Sequence, residues 1–434
     1  EYPGVMTPDS INQYAQVIGA YALSNHHAVV HTALIGMFYK IGLSVTGDAH
    51  TGLALYTAAQ MIFMALAAGY VVRTLQKADV RMPVLLITIG FYALMPYNGA
   101  YAVTMWKDIP FAGCMTIFCA ALMRFMLRGS FAASSDAVPK LWASEYFTLL
   151  IPYVLSGTLL CLLRTNGWYA FAVSLPLILI AYRKWLKVML PVHLTILALV
   201  LFVKYPVMHV YEIPQADFVE SLSIPVQQIA RVIANGESIT EHEAAYIHQL
   251  MDLEQIPSAY QPDCSDNIKN LIRQKGNSTL EADKGAFFKT WLSIGIEHPK
   301  AYFDAYVAQT NGYWYPDVHN DVGLADGIYP HEFGLVWQPV IRGNIIIKIK
   351  ELLFKLPEII PLYGLLWSIG FVLWVLVLTA ALSLRMGKPA SALVCLPVLL
   401  LMFTLCIATP VAAEFRYAYA AFYALPLLIV SPFV

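Results

Sequence analysis

Residues 52–72, GLALYTAAQMIFMALAAGYVV, run without one charged side chain. At helical rise, about 17 to 25 apolar residues cross the hydrocarbon core of a bilayer, so this stretch reads as a membrane span. Arg73, Lys77 and Arg81 follow it at once, and the next apolar run opens at Met82. Further runs of the same kind lie near Met82 to Ala102, Ile109 to Leu127, Phe147 to Leu163, Gly167 to Tyr182, Val188 to Tyr205, Ile359 to Leu384, Ala390 to Ala408 and Phe415 to Val434.

The links Arg73 to Arg81, Arg124 to Lys140, Arg183 to Lys187 and Arg385 to Lys388 are short and basic, the mark of cytoplasmic loops. Alternation then places outside the links near Pro96 to Asp108, Arg164 to Asn166, Pro206 to Lys355 and Thr409 to Glu414, together with the amino-terminal segment. His26 to Val45 is also apolar, but letting it cross would put Arg73, Lys77 and Arg81 outside. Its His26, His27, His31 and Lys40 suit a helix lying in the outer interface. An external Glu1 requires an odd number of spans before it, most simply one, and a polar start without methionine fits that expectation.

Composition points to lipid as the main solvent. The chain of 434 residues is 59% hydrophobic and 13% charged, and its mean hydropathy is +0.60. A net charge of −1 gives no footprint for nucleic acid, and no such partner is expected. Five of the six cysteines sit in apolar runs and only Cys264 in polar sequence, so no disulfide framework is available to an exported region.

The expected architecture is a mainly α, polytopic membrane protein. Residues 1–205 form the first part of the membrane domain, with an external loop over 1–51; residues 206–355 form one inserted extracytoplasmic domain; residues 356–434 supply the last three spans. Within the insert, Ser221 to Ala234 and Thr240 to Leu253 have helical patterning, and Thr240 with Glu243 forms a capping-box sequence. Thr310 to Trp337, dense in Tyr, Trp, Asp, Gly and Pro, reads as loop, its aromatics serving either a sugar or the membrane boundary.

Charges near spans are costly, and those that stand out gather on the external side: Asp9, Lys107, Asp108, Arg164, Glu414 and Arg416. Asp9 follows Pro8 at a helix start, where it either caps amides or serves as a general base whose pKa burial raises. Lys107 and Asp108 are neighbours and so face different partners, although snorkelling alone would explain Lys107. Arg164 sits in a tight Arg-Thr-Asn-Gly link, with Gly167 permitting the turn. Its planar fork suits phosphate, or it pairs with Glu414 or Asp108. Arg416 could meet the same phosphate or form a structural ion pair. His26, His27 and His31 have no nearby carboxylate, and no metal site is expected.

An external-loop Asp9, a His-rich interfacial helix, the Lys107-Asp108 pair and the terminal Glu414-Phe415-Arg416-Tyr417 together resemble GT-C glycosyltransferases, of the bacterial type that uses polyprenyl-phosphate sugars. His26-His27-Ala28 stands where that family often has His-Pro-Pro. The resemblance implies a multi-pass enzyme of the plasma membrane. It would pass a sugar from the lipid donor to a cell-surface glycan or other acceptor at the extracytoplasmic face.

By the same resemblance Asp9 is the catalytic base, while Lys107, Arg164 and Arg416 hold the lipid phosphate and Asp108 positions sugar. Glu414 and His31 join the substrate-binding set. No cofactor is required, and a divalent cation at the phosphate stays open. A flippase for lipid-linked saccharide, or a polymerase or ligase of lipid-linked oligosaccharides, are the alternatives.

Overall fold

A computed structural model describes every residue except 133–143, 319, 321, 323–325 and 342, and gives the backbone alone at 129–132, 144–147 and 361. The first helices are α1 (Pro8–Val17), α2 (Val29–Thr46) and α3 (Ala49–Lys77). Gly47, at φ +72°, ends α2 in the left-handed conformation that favours glycine, and Asp48 caps α3 by accepting from the His50 amide at 3.1 Å. The two helices touch where Gly42 meets Gly52: a Cβ at Gly52 would lie 2.6 Å from the Tyr39 Cα.

The region Met82 to Ala102, expected as one span, is two helices, α4 (Met82–Leu94) and α5 (Pro96–Ala102), bent by 53°. Pro96 has no amide hydrogen to continue α4, and the Asn98 side chain donates to the Tyr92 carbonyl that this frees, at 3.4 Å, and to the Phe91 carbonyl, which also accepts from the Met95 amide, at 3.2 Å. Next come α6 (Asp108–Ala132), α7 (Ser144–Leu163), α8 (Thr165–Ala181) and α9 (Leu186–Phe202). α6 is the central element and packs against both α3 and α7. Arg124, expected in a cytoplasmic link, lies inside α6 instead. Its Nε donates to Thr74 Oγ1 at 2.8 Å and its guanidinium sits 3.8 Å from the Tyr70 ring centre. Lys140, the other end of that link, is outside the described residues.

Helices α10 (Ser223–Ala234), α11 (Glu241–Leu250), α12 (Asp266–Lys275), α13 (Lys284–Glu297) and α14 (Pro299–Trp314) share a second apolar core that includes Val226, Ile229, Ile272, Phe287 and Ile294. Thr240 and Glu243 form the capping box, with Glu243 Oε2 accepting from the Thr240 amide at 2.9 Å. The loop expected from Thr310 is helix as far as Trp314. Within that last turn Gly312 is the small residue that lets α14 lie against Ala413, whose Cβ would be 2.6 Å from any Cβ at this position.

Asn344 to Ile359 forms α15, amphipathic and largely uncovered, with Ile345, Ile349, Leu352 and Ile359 exposed. The expected span from Ile359 is broken at Ile360 and starts afresh at Ile369, where Ser368 Oγ caps α16 (Ile369–Arg385) by accepting from Phe371 at 3.2 Å. α17 (Pro389–Ile407) and α18 (Phe415–Val430) complete the chain and pack on α6. Among the described residues five segments are long and apolar enough to span, six with the bent pair, and shorter apolar helices accompany them. The chain is a multi-pass helical membrane protein. α2, expected to lie in the interface, is one of the five by length and composition.

Candidate functional site

The amino-terminal strand of chain fixes Asp9. Val5 donates to the Val103 carbonyl and accepts from Met105, both at 2.9 Å, while Met6 pairs with Gly327 and Tyr329 on its other side at 2.9 and 2.8 Å. Ser10 Oγ then donates to the Met105 carbonyl at 2.8 Å, and Trp106 Nε1 to Thr7 Oγ1 at 2.6 Å. The first turn of α1 is thereby stitched to the residues just before Lys107. Among the described residues Asp9 accepts from no helix amide: its Oδ2 accepts from Arg416 Nη1 at 2.8 Å, across 407 residues of sequence.

Arg416 enters from α18, whose start is set by residues between Ser223 and Asn320. Four consecutive carbonyls before Glu414 accept from donors in that stretch. Pro410 accepts from Ser223 Oγ at 2.6 Å and Lys269 Nζ at 2.8 Å, and Val411 from the Ser265 amide at 3.1 Å. Ala412 accepts from Tyr313 OH at 2.9 Å, and Ala413 from Asn320 Nδ2 at 3.2 Å. The guanidinium of Arg416 donates to Glu414 through Nε and to the Tyr417 hydroxyl at 3.0 Å through Nη2, and lies 5.1 Å from the Trp106 ring centre.

Asp108 and Arg164 pair with each other, and both side chains are almost wholly buried. Arg164 occupies the single position between α7 and α8. Gly167 is required by packing, not by the turn: it is helical, and a Cβ there would lie 2.3 Å from the Leu160 carbonyl oxygen and 2.6 Å from the Phe111 ring. Arg164 also faces the Tyr417 ring at 4.7 Å, and Arg416 faces that ring at 4.9 Å. Tyr417, which the sequence reading left without a role, thus couples the two guanidinium groups. Lys107 differs from both arginines, since among the described residues its ammonium has no ion-pair or hydrogen-bond partner.

Asp9, Lys107, Asp108, Arg164 and Arg416 line one cavity of about 810 Å³. His27 joins them, as do Asp217, Glu220, Asp266 and Arg273, none of which sequence reasoning had placed there. Two residues of the expected set stand apart. His31 does not line the cavity. Its Nδ1 meets Gln13 Oε1 at 2.8 Å and its Nε2 the Tyr56 hydroxyl at 2.6 Å, which makes it a buried tie between α1, α2 and α3. Glu414 acts on Arg416 and is likewise not in the lining.

The charges differ from the simplest expectation. Burial pushes the Asp9 carboxyl up, but Arg416, His27 and Lys107 together pull it further down, so it lies below its ordinary value; it is not tuned upward. Glu414 is the carboxyl that burial raises, against the pull of Arg416. Burial also lowers Lys107, and burial with the Lys107 charge brings His27 down to about 3, leaving a neutral imidazole. Among the described residues no three His, Cys, Asp or Glu side chains gather as a metal-holding group.

No curated protein and no solved structure matches the chain. Residues 17–433 match a family model, so the chain belongs to the family described as a family of unknown function, DUF6020.

Proposed function

We propose that this protein is a glycosyltransferase that moves a sugar from a polyprenyl-phosphate donor to a glycan or other acceptor at the extracytoplasmic face of the plasma membrane. The observation that carries the reading is the gathering of Asp9, Lys107, Asp108, Arg164 and Arg416, from separate segments, around one cavity. An unpaired ammonium at Lys107 calls for an anion, and a phosphate monoanion or dianion answers it.

The chemistry is a single displacement. The acceptor oxygen bonds to the anomeric carbon as the bond from that carbon to phosphate oxygen breaks, the electron pair leaving with polyprenyl phosphate and the acceptor proton passing to Asp9. Asp9 is ionised and so competent to take the proton, yet its bond to Arg416 makes it a weak base. A donor phosphate that draws Arg416 toward itself strengthens Asp9 at the same moment, which ties base activation to donor binding.

Purified full-length protein in nanodiscs with a synthetic polyprenyl-phospho-sugar tests the proposal. Product and free polyprenyl phosphate should appear together, and Asp9→Asn should lower turnover by about 10²–10⁴-fold, the usual range for a lost general base. Full turnover in Asp9→Asn would remove Asp9 from the role. Passage of labelled lipid across the membrane without any covalent product would mark a transporter instead.

A further inference from the structure

Lys204 is a second cation in the cavity wall with no anion beside it among the described residues. It sits close to one end of an apolar helical run from Arg183 to Val210, six residues before its last residue. Its described neighbour is the Trp168 ring, 5.2 Å from Nζ. The backbone at this point leaves the α-helix for a π-helical turn over Val203–Val207, a local widening that recurs where helices build ligand sites.

Beside Lys204 is a second hollow of about 870 Å³, open and mostly apolar, bordered by the one stretch from Lys204 to Gln215, in which Tyr205, Pro206, Ile213 and Pro214 are apolar or aromatic members and Lys204, His209, Glu212 and Gln215 the polar ones. Lys204, Met208 and Gln215 line both this hollow and the main cavity. Gln215 Nε2 donates to Met208 Sδ at 3.0 Å, closing the sill between them. A mostly apolar trough that shares a cation with a charged chamber fits a molecule with one long hydrocarbon chain and one phosphate. A free phosphate has no use for the trough.

We propose that Lys204 holds the phosphate of the polyprenyl lipid at the doorway between bilayer and cavity, with the isoprenoid chain lying in the second hollow. The inference rests on the glycosyl-transfer reading and adds to it the path of the donor. Full-length protein in nanodiscs is exposed to a polyprenyl phosphate bearing a diazirine on its first isoprene units and no sugar, and the crosslinks are mapped by mass spectrometry.

Labelling should centre on residues 205–213. In Lys204→Gln of unchanged melting temperature it should fall about tenfold, the cost of one charge-assisted contact, and Lys204→Arg should restore it. Labelling on other helices, no loss in Lys204→Gln, equal labelling by the phosphate-free polyprenol, or full competition by inorganic phosphate would each overturn the assignment. The probe needs no turnover. A labelled but inactive protein would therefore sink the transfer reading alone, and sugar transfer with labelling elsewhere would sink the doorway alone.

Discussion

At the scale of single residues, Arg416 decides the character of the site, because one guanidinium meets Asp9, Glu414 and Tyr417 at once. The Asp9 partnership has a pH signature. A carboxyl whose folded pKa lies below its unfolded value gives stability that is complete above the unfolded value and fades as pH falls through the folded one. Asp9 is held below its ordinary 3.8. The melting gap between the native protein and Asp9→Asn should therefore be constant from about pH 8 to about pH 5 and close below about pH 4. Because the Asp9 side chain is 36% exposed, the gap should amount to about 1 kcal/mol, nearer the ~0–1 of exposed pairs than the ~3–5 of buried ones. A gap unchanged at about pH 3 would show that the pair is not what Asp9 contributes.

At the scale of elements, the packing of α8 on α6 and α7 sets Arg164. Gly167→Ala forces a methyl against the Leu160 carbonyl and the Phe111 ring, and should cost about 1–3 kcal/mol of overpacking while displacing Arg164 from Asp108. Gly90→Ala is the control: nothing lies within 4 Å of a Cβ there, so it should be neutral or stabilise α4 by up to about 1 kcal/mol. Thermal melting in detergent compares the two, and equal melting temperatures would refute the close-approach argument. The element scale is also where sequence reading met its limits. The apolar run from Met82 gave a span but not its bend, which needed Pro96 together with the reach of Asn98 to two carbonyls. The stretch from Thr310 read as loop because of its Tyr, Trp, Asp, Gly and Pro content, yet its first residues continue α14 to Trp314, where Gly312 packs beside Ala413.

At the scale of the whole molecule, Lys269 is one of the ties between the helices of the second apolar core and the loop that leads into α18. This fully buried ammonium bonds Glu220 at 3.1 Å, Asp266 at 2.9 Å and the Pro410 carbonyl at 2.8 Å. Lys269→Met should cost about 2–3 kcal/mol, under the ~3–5 of a fully buried pair since both carboxylates keep some exposure. It should also release the loop that positions Arg416, so that a double-mutant cycle with Arg416→Lys gives a coupling above about 0.5 kcal/mol. Additive effects would mean that Lys269 does not hold the site.

The sequence by itself determined the solvent and the element type. Long uncharged apolar runs can satisfy their backbone in lipid only as helices, and that follows from local composition. It also singled out Asp9, Lys107, Asp108, Arg164 and Arg416, because a charge beside a span is expensive enough to need a purpose. Tertiary structure alone decided that these five share a cavity, that Arg164 belongs to Asp108 and Arg416 to Asp9, and that His31 is a buried tie instead. Pairing of charges depends on distance in space, and chain positions 9 and 416 carry no record of the carbonyls and glycines that bring them within 2.8 Å.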